Sequence, residues 1–307
     1  MTILLWTLQL LFIPALSPAF IGLTRKLKAH FQNRQGASIF QPYRDLAKLF
    51  HKDEVISEDA SWIFRAAPFI IFGTTLAVGA CVPLVSTALT TPAGDFLVVV
   101  YLFALGAFWL ALSGLDTGSA FGGFGSSREM FMAAFSEGGL ILSLLTLVLL
   151  SHSTNLSTIA ATIASLPFTS LAPVVLALFA FTIALLVETA RYPFDNPATH
   201  LELTMIHEAM LLEYSGKRLA LMEWASANKY LLFLSLCATL FFPFGVPHSL
   251  SLTAVIAGLS VLIAKVSLLC VGIATLESSI SKFRIFRLPD LLFTSALLGI
   301  IAIGLSI

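Results

Sequence analysis

Charge is what this sequence has least of. Only 11% of its 307 residues are Asp, Glu, Lys or Arg, against about 25% in an ordinary soluble domain, while 58% are hydrophobic. The mean hydropathy is +0.94. So apolar a composition excludes a disordered chain, which needs polar and charged residues to stay solvated. A surplus of either sign is missing too. The 17 Lys+Arg stand against 17 Asp+Glu, and a nucleic-acid binder needs a basic excess to neutralise phosphates. Cysteine is equally scarce. Cys81, Cys237 and Cys270 lie inside apolar runs, without a CxxC pair or a His/Cys cluster. That excludes a disulfide scaffold and leaves too few thiolates for haem or iron–sulfur ligation.

Long apolar runs are what the sequence has in abundance. A helix needs about 20 apolar residues to cross the bilayer core. Eight stretches qualify, roughly 2–23, 66–88, 96–115, 129–151, 171–189, 229–246, 250–275 and 289–306. They are too long for strands and lack the alternation of a membrane barrel. The first has no basic residues before it and a basic loop after it, so it reads as a span rather than a signal peptide. The expected fold is an all-α polytopic membrane protein, a single integral-membrane domain over 1–307.

The basic residues then fix an orientation. Arg25, Lys26, Lys28, Arg34, Arg44, Lys48, Lys52 and Arg65 follow the first stretch, and Arg128 follows the third. Arg191, Lys217, Arg218 and Lys229 follow the fifth, and Lys282, Arg284 and Arg287 the seventh. The intervening loops carry none, so 16 of the 17 basic residues fall on one side. That side is expected to be the cytoplasm of a prokaryotic inner membrane, with both termini outside. Lys265, inside the seventh stretch, is the exception.

The loops divide into large basic ones and short neutral ones. No internal repeat is visible, so the inverted-repeat design of many secondary transporters lacks support. In the first large loop, Leu46, Leu49 and Phe50 recur at helical spacing with charges between them. This predicts an amphipathic surface helix over about 42–52, with Pro42 in its first turn. The polar loop over about 190–228 is broken early by Pro193 and Pro197. A helix is expected from Thr199 to about Leu212, ended by Gly216. Residues 118–127, GSAFGGFGSS, match neither a Walker A nor a Rossmann fingerprint and read as a flexible loop. His200 and His207 lack HExxH spacing, and no catalytic, cofactor-binding or metal site is expected in this chain.

Ionisable groups at membrane depth cost several kcal/mol or more and are functional candidates by default. Glu137 and Lys265 are the ones placed deepest, with Glu188 at the end of the fifth stretch, close to a boundary. Asp116, Glu129 and Glu277 lie at helix ends, where capping or snorkelling accounts for them equally well. A hydrated chain of carboxylates through the bundle suits proton relay.

Two loops carry a family resemblance. QNRQGASIFQPYRDLAKLFHKDE, through Gln32, Arg34, Gly36, Gln41, Asp45, Lys48, Leu49, Lys52 and Glu54, resembles the first large loop of the complex I quinone-channel family, which comprises mitochondrial subunit 1 and its bacterial counterparts. VETARYPFDNPATHLELTMIHEAMLLEYSG is similar to the family's acidic loop at Glu188, Arg191, Pro193, Phe194, Asp195, Pro197, Glu202, Leu203 and the run Glu213, Tyr214, Ser215, Gly216. Ala198 and His200 replace two of its carboxylates, and about three residues are added before LEYSG. With GLDTGSAFGGFGSSRE and LESSISKFRIFRLPDLL, these departures resemble the homologous membrane-anchor subunit of membrane-bound, energy-converting nickel–iron (NiFe) hydrogenases of the formate hydrogenlyase and hydrogenase-4 type.

The resemblance implies a non-catalytic subunit without its own redox centre. The NiFe centre and iron–sulfur clusters would sit in partners: hydrogenase large and small subunits, an iron–sulfur subunit and antiporter-like membrane subunits. It implies an ion pathway, for protons or sodium, through Glu137, Glu188, Glu202 and Glu213, to which membrane depth adds Lys265. It implies docking of the peripheral arm at Arg34, Gln41, Asp45, Lys48, Arg191, Asp195 and Tyr214. The alternatives are a quinone-channel subunit of a true NADH:quinone oxidoreductase, a stand-alone secondary transporter, and a structural anchor whose charges merely pair.

Overall fold

Every backbone N–H and C=O in a hydrocarbon layer needs an internal partner, and this chain meets that demand with helices. The structure, a computed structural model, describes residues 2–86, 94–167, 170–195, 205–247, 251–284 and 287–307. Its α-helices are α1 (Thr2–Phe31), α2 (Gln41–His51), α3 (Trp62–Cys81), α4 (Phe96–Asp116), α5 (Ala120–Ser151), α6 (Leu156–Ser165), α7 (Ala172–Glu188), α8 (His207–Leu211), α9 (Gly216–Leu236), α10 (Leu252–Ser279) and α11 (Leu288–Ser306). A π-helical turn, Cys237–Phe241, continues α9. Among the described residues the only β pairing is a single bridge between Asp95 and Asn155.

This is an all-α polytopic membrane protein. Helices α1, α3, α4, α5, α10 and α11 are each long and apolar enough to cross a bilayer. The remaining two expected stretches are α7 and α9. Helix α7 has 17 residues, or about 26 Å, slightly less than the ~30 Å hydrocarbon core. Helix α9 starts at Gly216, inside the segment expected to be loop, and carries Lys217, Arg218, Glu223 and Lys229. Up–down alternation brings the connections together at two ends. At one, Asp116 at the end of α4 meets Ser61 before α3. At the other, Ser86 donates to the Pro247 carbonyl.

Helix α9 is the centre of the bundle. It packs against α1, α2, α3, α7 and α10, and Tyr230 through Leu236 are all buried. Phe233 stacks on Phe103 with centroids 4.6 Å apart and lies 5.9 Å from Phe181. A polar strut crosses this apolar core. Ser17 donates to Asn228 Oδ1 at 2.6 Å, and Asn228 Nδ2 donates to Thr75 Oγ1 at 3.1 Å. It ties α1, α9 and α3 with side-chain hydrogen bonds, the kind of contact that associates helices where no hydrophobic drive between them exists.

Proline shapes α1. Pro18 has no N–H for the Pro14 carbonyl, and the Trp224 indole donates to that oxygen at 2.9 Å instead. The amphipathic helix α2 lies over this region, with Pro42 and Leu46 buried. Phe50 meets Trp224 edge-on at 6.2 Å.

Two expectations are corrected. The glycine-rich run does not form a flexible loop: from Ala120 onward it is the first turns of α5, capped by Ser119, whose side chain accepts from Gly122 N. Glycine serves close packing here. A Cβ on Gly122 would strike the Gly114 carbonyl of α4, and one on Gly125 would come within 2.9 Å of Ala209 Cβ in α8. The helix expected over Thr199–Leu212 is helical at His207–Leu211; residues 199–204 lie outside the described residues. Gly216 does not end that helix but opens α9 with φ +52°.

Asp116 has a structural task. Its carboxylate accepts from Ser61 N at 2.8 Å, Ser61 Oγ at 2.6 Å and Phe64 N at 3.2 Å, so it caps the start of α3 from the end of α4. Asp116→Ala leaves these donors unsatisfied and is expected to cost about 1–3 kcal/mol. Thermal unfolding of the purified assembly in detergent measures this as a lower midpoint, largely restored in Asp116→Asn.

Candidate functional site

The end of α7 sets the site. Thr189 closes the helix, Ala190 takes the left-handed conformation at φ +50°, and two hydrogen bonds complete the turn: Arg191 N to Leu186 O and Ala190 N to Val187 O. This is a Schellman motif with alanine where glycine is usual. Its effect is to leave Glu188 on the last helical turn and to send Arg191 back into the bundle.

Arg191 and its partners are almost fully buried. Arg191 Nη1 lies 3.1 Å from Glu277 Oε1, and Lys28 Nζ lies 3.0 Å from Glu277 Oε2. One carboxylate of α10 thus holds cations from α1 and from the turn after α7. The Arg191 guanidinium also lies over the Tyr230 ring, 4.2 Å from its centroid. The Tyr230 hydroxyl is 3.0 Å from Thr24 Oγ1. Asp195, 3% exposed, binds Lys282 Nζ at 2.8 Å with one oxygen. Its other oxygen accepts from Ile206 N and His207 N at 3.2 and 3.1 Å. Asp195 therefore fixes the start of α8 against the turn.

A second group lies deeper. Glu188 accepts from Ser136 Oγ at 2.5 Å and pairs with Lys229 Nζ at 2.8 Å, its own side chain only 6% exposed. Glu137, the neighbour of Ser136 on α5, is near enough to feel the charges of both Glu188 and Lys229. Glu129, two turns earlier on α5, feels Lys229, Glu188 and Asp195. Lys229 is thus the cation paired with Glu188, on the side of the bundle where Ser136 and Glu137 of α5 lie.

Two cavities adjoin these groups. A chamber of about 660 Å³ lies between α1, α2, α9 and the turn after α7, bordered by Arg25, Lys28, Asp45, Arg191, Asp195 and Glu277 among others. A void of about 40 Å³ lies deeper, bordered by Thr74, Thr75, Glu188, Ser226 and Lys229. No group of three or more His, Cys, Asp or Glu suited to a metal ion occurs among the described residues.

Of the expected pathway residues, Glu188 binds Ser136 of α5, the residue before Glu137. Lys265 is not with them. Its ammonium donates to the carbonyls of Ala238 and Phe242 at 3.2 and 2.6 Å, over the Phe244 ring, and closes the end of the π-helical turn. Glu213 is exposed, apart from the cluster, and Glu202 lies outside the described residues. Among the expected docking residues, Arg191 and Asp195 are buried in the site. Tyr214 is buried beneath the surface, stacked on Phe64 at 3.9 Å. Arg34 is exposed and bonds Gln32, while Gln41 Nε2 and Lys48 Nζ reach Asp45 at 2.8 and 3.9 Å.

Lys229, Lys28 and Ser136 are the site residues that sequence reasoning missed. Lys229 stands at the edge of an apolar run and passes for a loop charge. The signal that finds it is helical phase: Met222, Ala225, Leu232 and Phe233, which share its face at i−7, i−4, i+3 and i+4, are all apolar, and all are buried.

A family model described as NADH dehydrogenase matches residues 3–306. Hydrogenase-4 component C of Escherichia coli (strain K12) is 37% identical over 277 residues, covering 90% of this chain and 87% of that one. Formate hydrogenlyase subunit 4 of the same organism is 33% identical over 290 residues, 94% of each chain. A chain in the solved structure of the membrane-bound sulfane sulfur reductase, an archaeal respiratory membrane complex, superposes with a TM-score of 0.84 over 99% of both chains. At 19% sequence identity that likeness shows a shared fold.

Breaking a buried ion pair from one side strands a charge, at about 3–5 kcal/mol. Lys229→Met is therefore expected to lower the melting temperature of the assembly strongly, and Lys229→Met/Glu188→Gln to recover most of the loss. A four-variant thermal cycle reads this coupling. His207 predicts a pH dependence. Burial, with the Lys229 charge, pushes its pKa from the ordinary 6.5 down to about 4, while Asp195 opposes. The unfolded chain then binds the proton first, so His207's contribution is complete above about pH 6.5 and is lost as pH falls toward 4. Melting temperatures across that window are expected to fall less steeply in His207→Gln than in wild type.

Proposed function

The chain belongs to the NADH dehydrogenase family, and from that premise we propose that it is the non-catalytic membrane subunit of a multisubunit NiFe hydrogenase complex. In this reading the exposed surface around α2 and the 32–40 segment docks a peripheral redox arm. Glu188, Lys229 and Glu137 begin an ion path coupled to electron transfer. The observation that carries the coupling role is the sequence of spaces and charges from the 660 Å³ chamber to the 40 Å³ void at the Glu188–Lys229 pair. The hydrogenase assignment is supported by the near full-length likeness to the two Escherichia coli subunits.

The NiFe centre and iron–sulfur clusters belong to partner chains: hydrogenase large and small subunits and an iron–sulfur subunit, with antiporter-like subunits beside this one in the membrane. The membrane is the cytoplasmic membrane of a prokaryote, with the basic ends of the helices inside and both termini outside. Redox turnover in the arm shifts the docking surface. The turn over Glu188–Asp195 moves with it and changes how the buried carboxylates are hydrated and paired, a two-state coupling of distant sites. The chamber favours one second reading, a quinone site; inhibition of turnover by a quinone analogue would support it.

Glu137→Gln tests the coupling role in the intact complex. Hydrogen turnover with a soluble electron partner is expected to stay within about twofold of wild type, while ion movement per turnover in vesicles falls at least tenfold. Both at wild-type level would show that Glu137 has no part in the path.

A further inference from the structure

We propose that His207 is the proton-exchange residue between the chamber and the buried Glu188–Lys229 pair, an inference that deepens the function proposed above and rests on it. Thr189, Ala190, His207, Leu211 and Ser226 border both the chamber and the void. Of these five, His207 is the one whose ring can take a proton at one nitrogen while releasing one from the other. The void of about 40 Å³ has room for about two or three waters, and the hydroxyls of Thr74, Thr75 and Ser226, the Glu188 carboxylate and the Lys229 ammonium supply polar partners.

The backbone around His207 is held on both sides. Its N–H bonds Asp195 Oδ2 at 3.1 Å, and the Met205 carbonyl accepts from Arg128 Nη1 at 3.0 Å. Helix α8 packs against α4 and α5. From α5, Arg128 reaches the residue two before His207; the charges that act on the ring are Lys229 of α9 and Asp195 of the turn after α7, which Lys282 partly neutralises. Asp116 of α4 is engaged with the start of α3.

Burial, with the Lys229 charge, disfavours an imidazolium here, so the ring passes a proton without storing one. One ring nitrogen takes a proton from a hydronium in the chamber, whose O–H bond breaks to leave neutral water, as the other nitrogen's N–H bond breaks and its proton passes to a void water, making hydronium there. The ring stays neutral and is left as the other tautomer, which a ring flip resets. The proton delivered to the void is then within a water's reach of Glu188. Asp195, by fixing the start of α8, is a positioning residue for this step.

The experiment uses the intact complex in proteoliposomes, comparing wild type, His207→Gln, His207→Ala and Glu188→Gln. Proton movement per hydrogen turned over is expected to fall at least tenfold in both His207 variants, with turnover toward a soluble electron partner within about twofold. Added imidazole is expected to restore His207→Ala, which has the space for it, and not His207→Gln. If His207→Gln pumps at the wild-type ratio while Glu188→Gln does not, the His207 proposal falls and the path stands. If both pump at the wild-type ratio, the path itself falls. Loss in His207→Ala without imidazole rescue assigns a purely structural role and overturns the proposal. Should His207→Ala not assemble, His207→Gln decides: a wild-type ratio overturns the proposal, a tenfold loss supports it.

Discussion

A charge left alone in a low-dielectric interior costs several kcal/mol, and the arrangement of this bundle follows from that cost. Glu188 of α7 is answered by Lys229 of α9, and Glu277 of α10 by Lys28 of α1 and Arg191. Asp195 is answered by Lys282, and Lys265 by two backbone carbonyls that the π-helical turn leaves open. In each case the partner comes from a distant part of the chain. The pairs therefore act as ties between helices that an apolar environment would not otherwise hold in register.

The same economy explains α9. Its C-terminal part, Tyr230 through Leu236, is buried all round, and such a segment meets its neighbours closely only where the side chains interlock and their polar atoms are satisfied. The Ser17–Asn228–Thr75 strut and the Phe103–Phe233–Phe181 stack do both jobs beside the site. Lys229 follows Asn228 directly, so the strut that fixes the helix also fixes the ammonium. At one end of the bundle, glycine serves the same purpose. Gly122 and Gly125 let α4, α5 and α8 touch through backbone, which positions His207 and Asp195 relative to Glu129.

Much of this was legible in advance. The apolar runs, the one-sided distribution of Lys and Arg, and the place of Glu137 and Glu188 within apolar stretches could be read by counting along the chain, because each is a local property. The glycine-rich segment misled for a physical reason. Glycine weakens a helix in isolation, and only the neighbouring backbones, absent from any one-dimensional view, turn that weakness into a requirement. Gly216 misled in the same way: its left-handed φ suits the start of α9 as well as the end of another helix. Lys265 shows the opposite limit. Its cost at depth was visible, but not that carbonyls rather than carboxylates would meet it.

Sequence by itself determined that the chain is helical, lies in a membrane and carries a few costly charges, since hydrophobic length and charge scarcity depend on composition alone. Tertiary structure decided which charges meet. It gave Lys229 the carboxylate of Glu188, set Lys265 apart, and opened a chamber and a void that His207 borders alike. The reason is that pairing and cavity both depend on distances between elements far apart in the chain, and those distances are fixed by packing rather than by spacing along it.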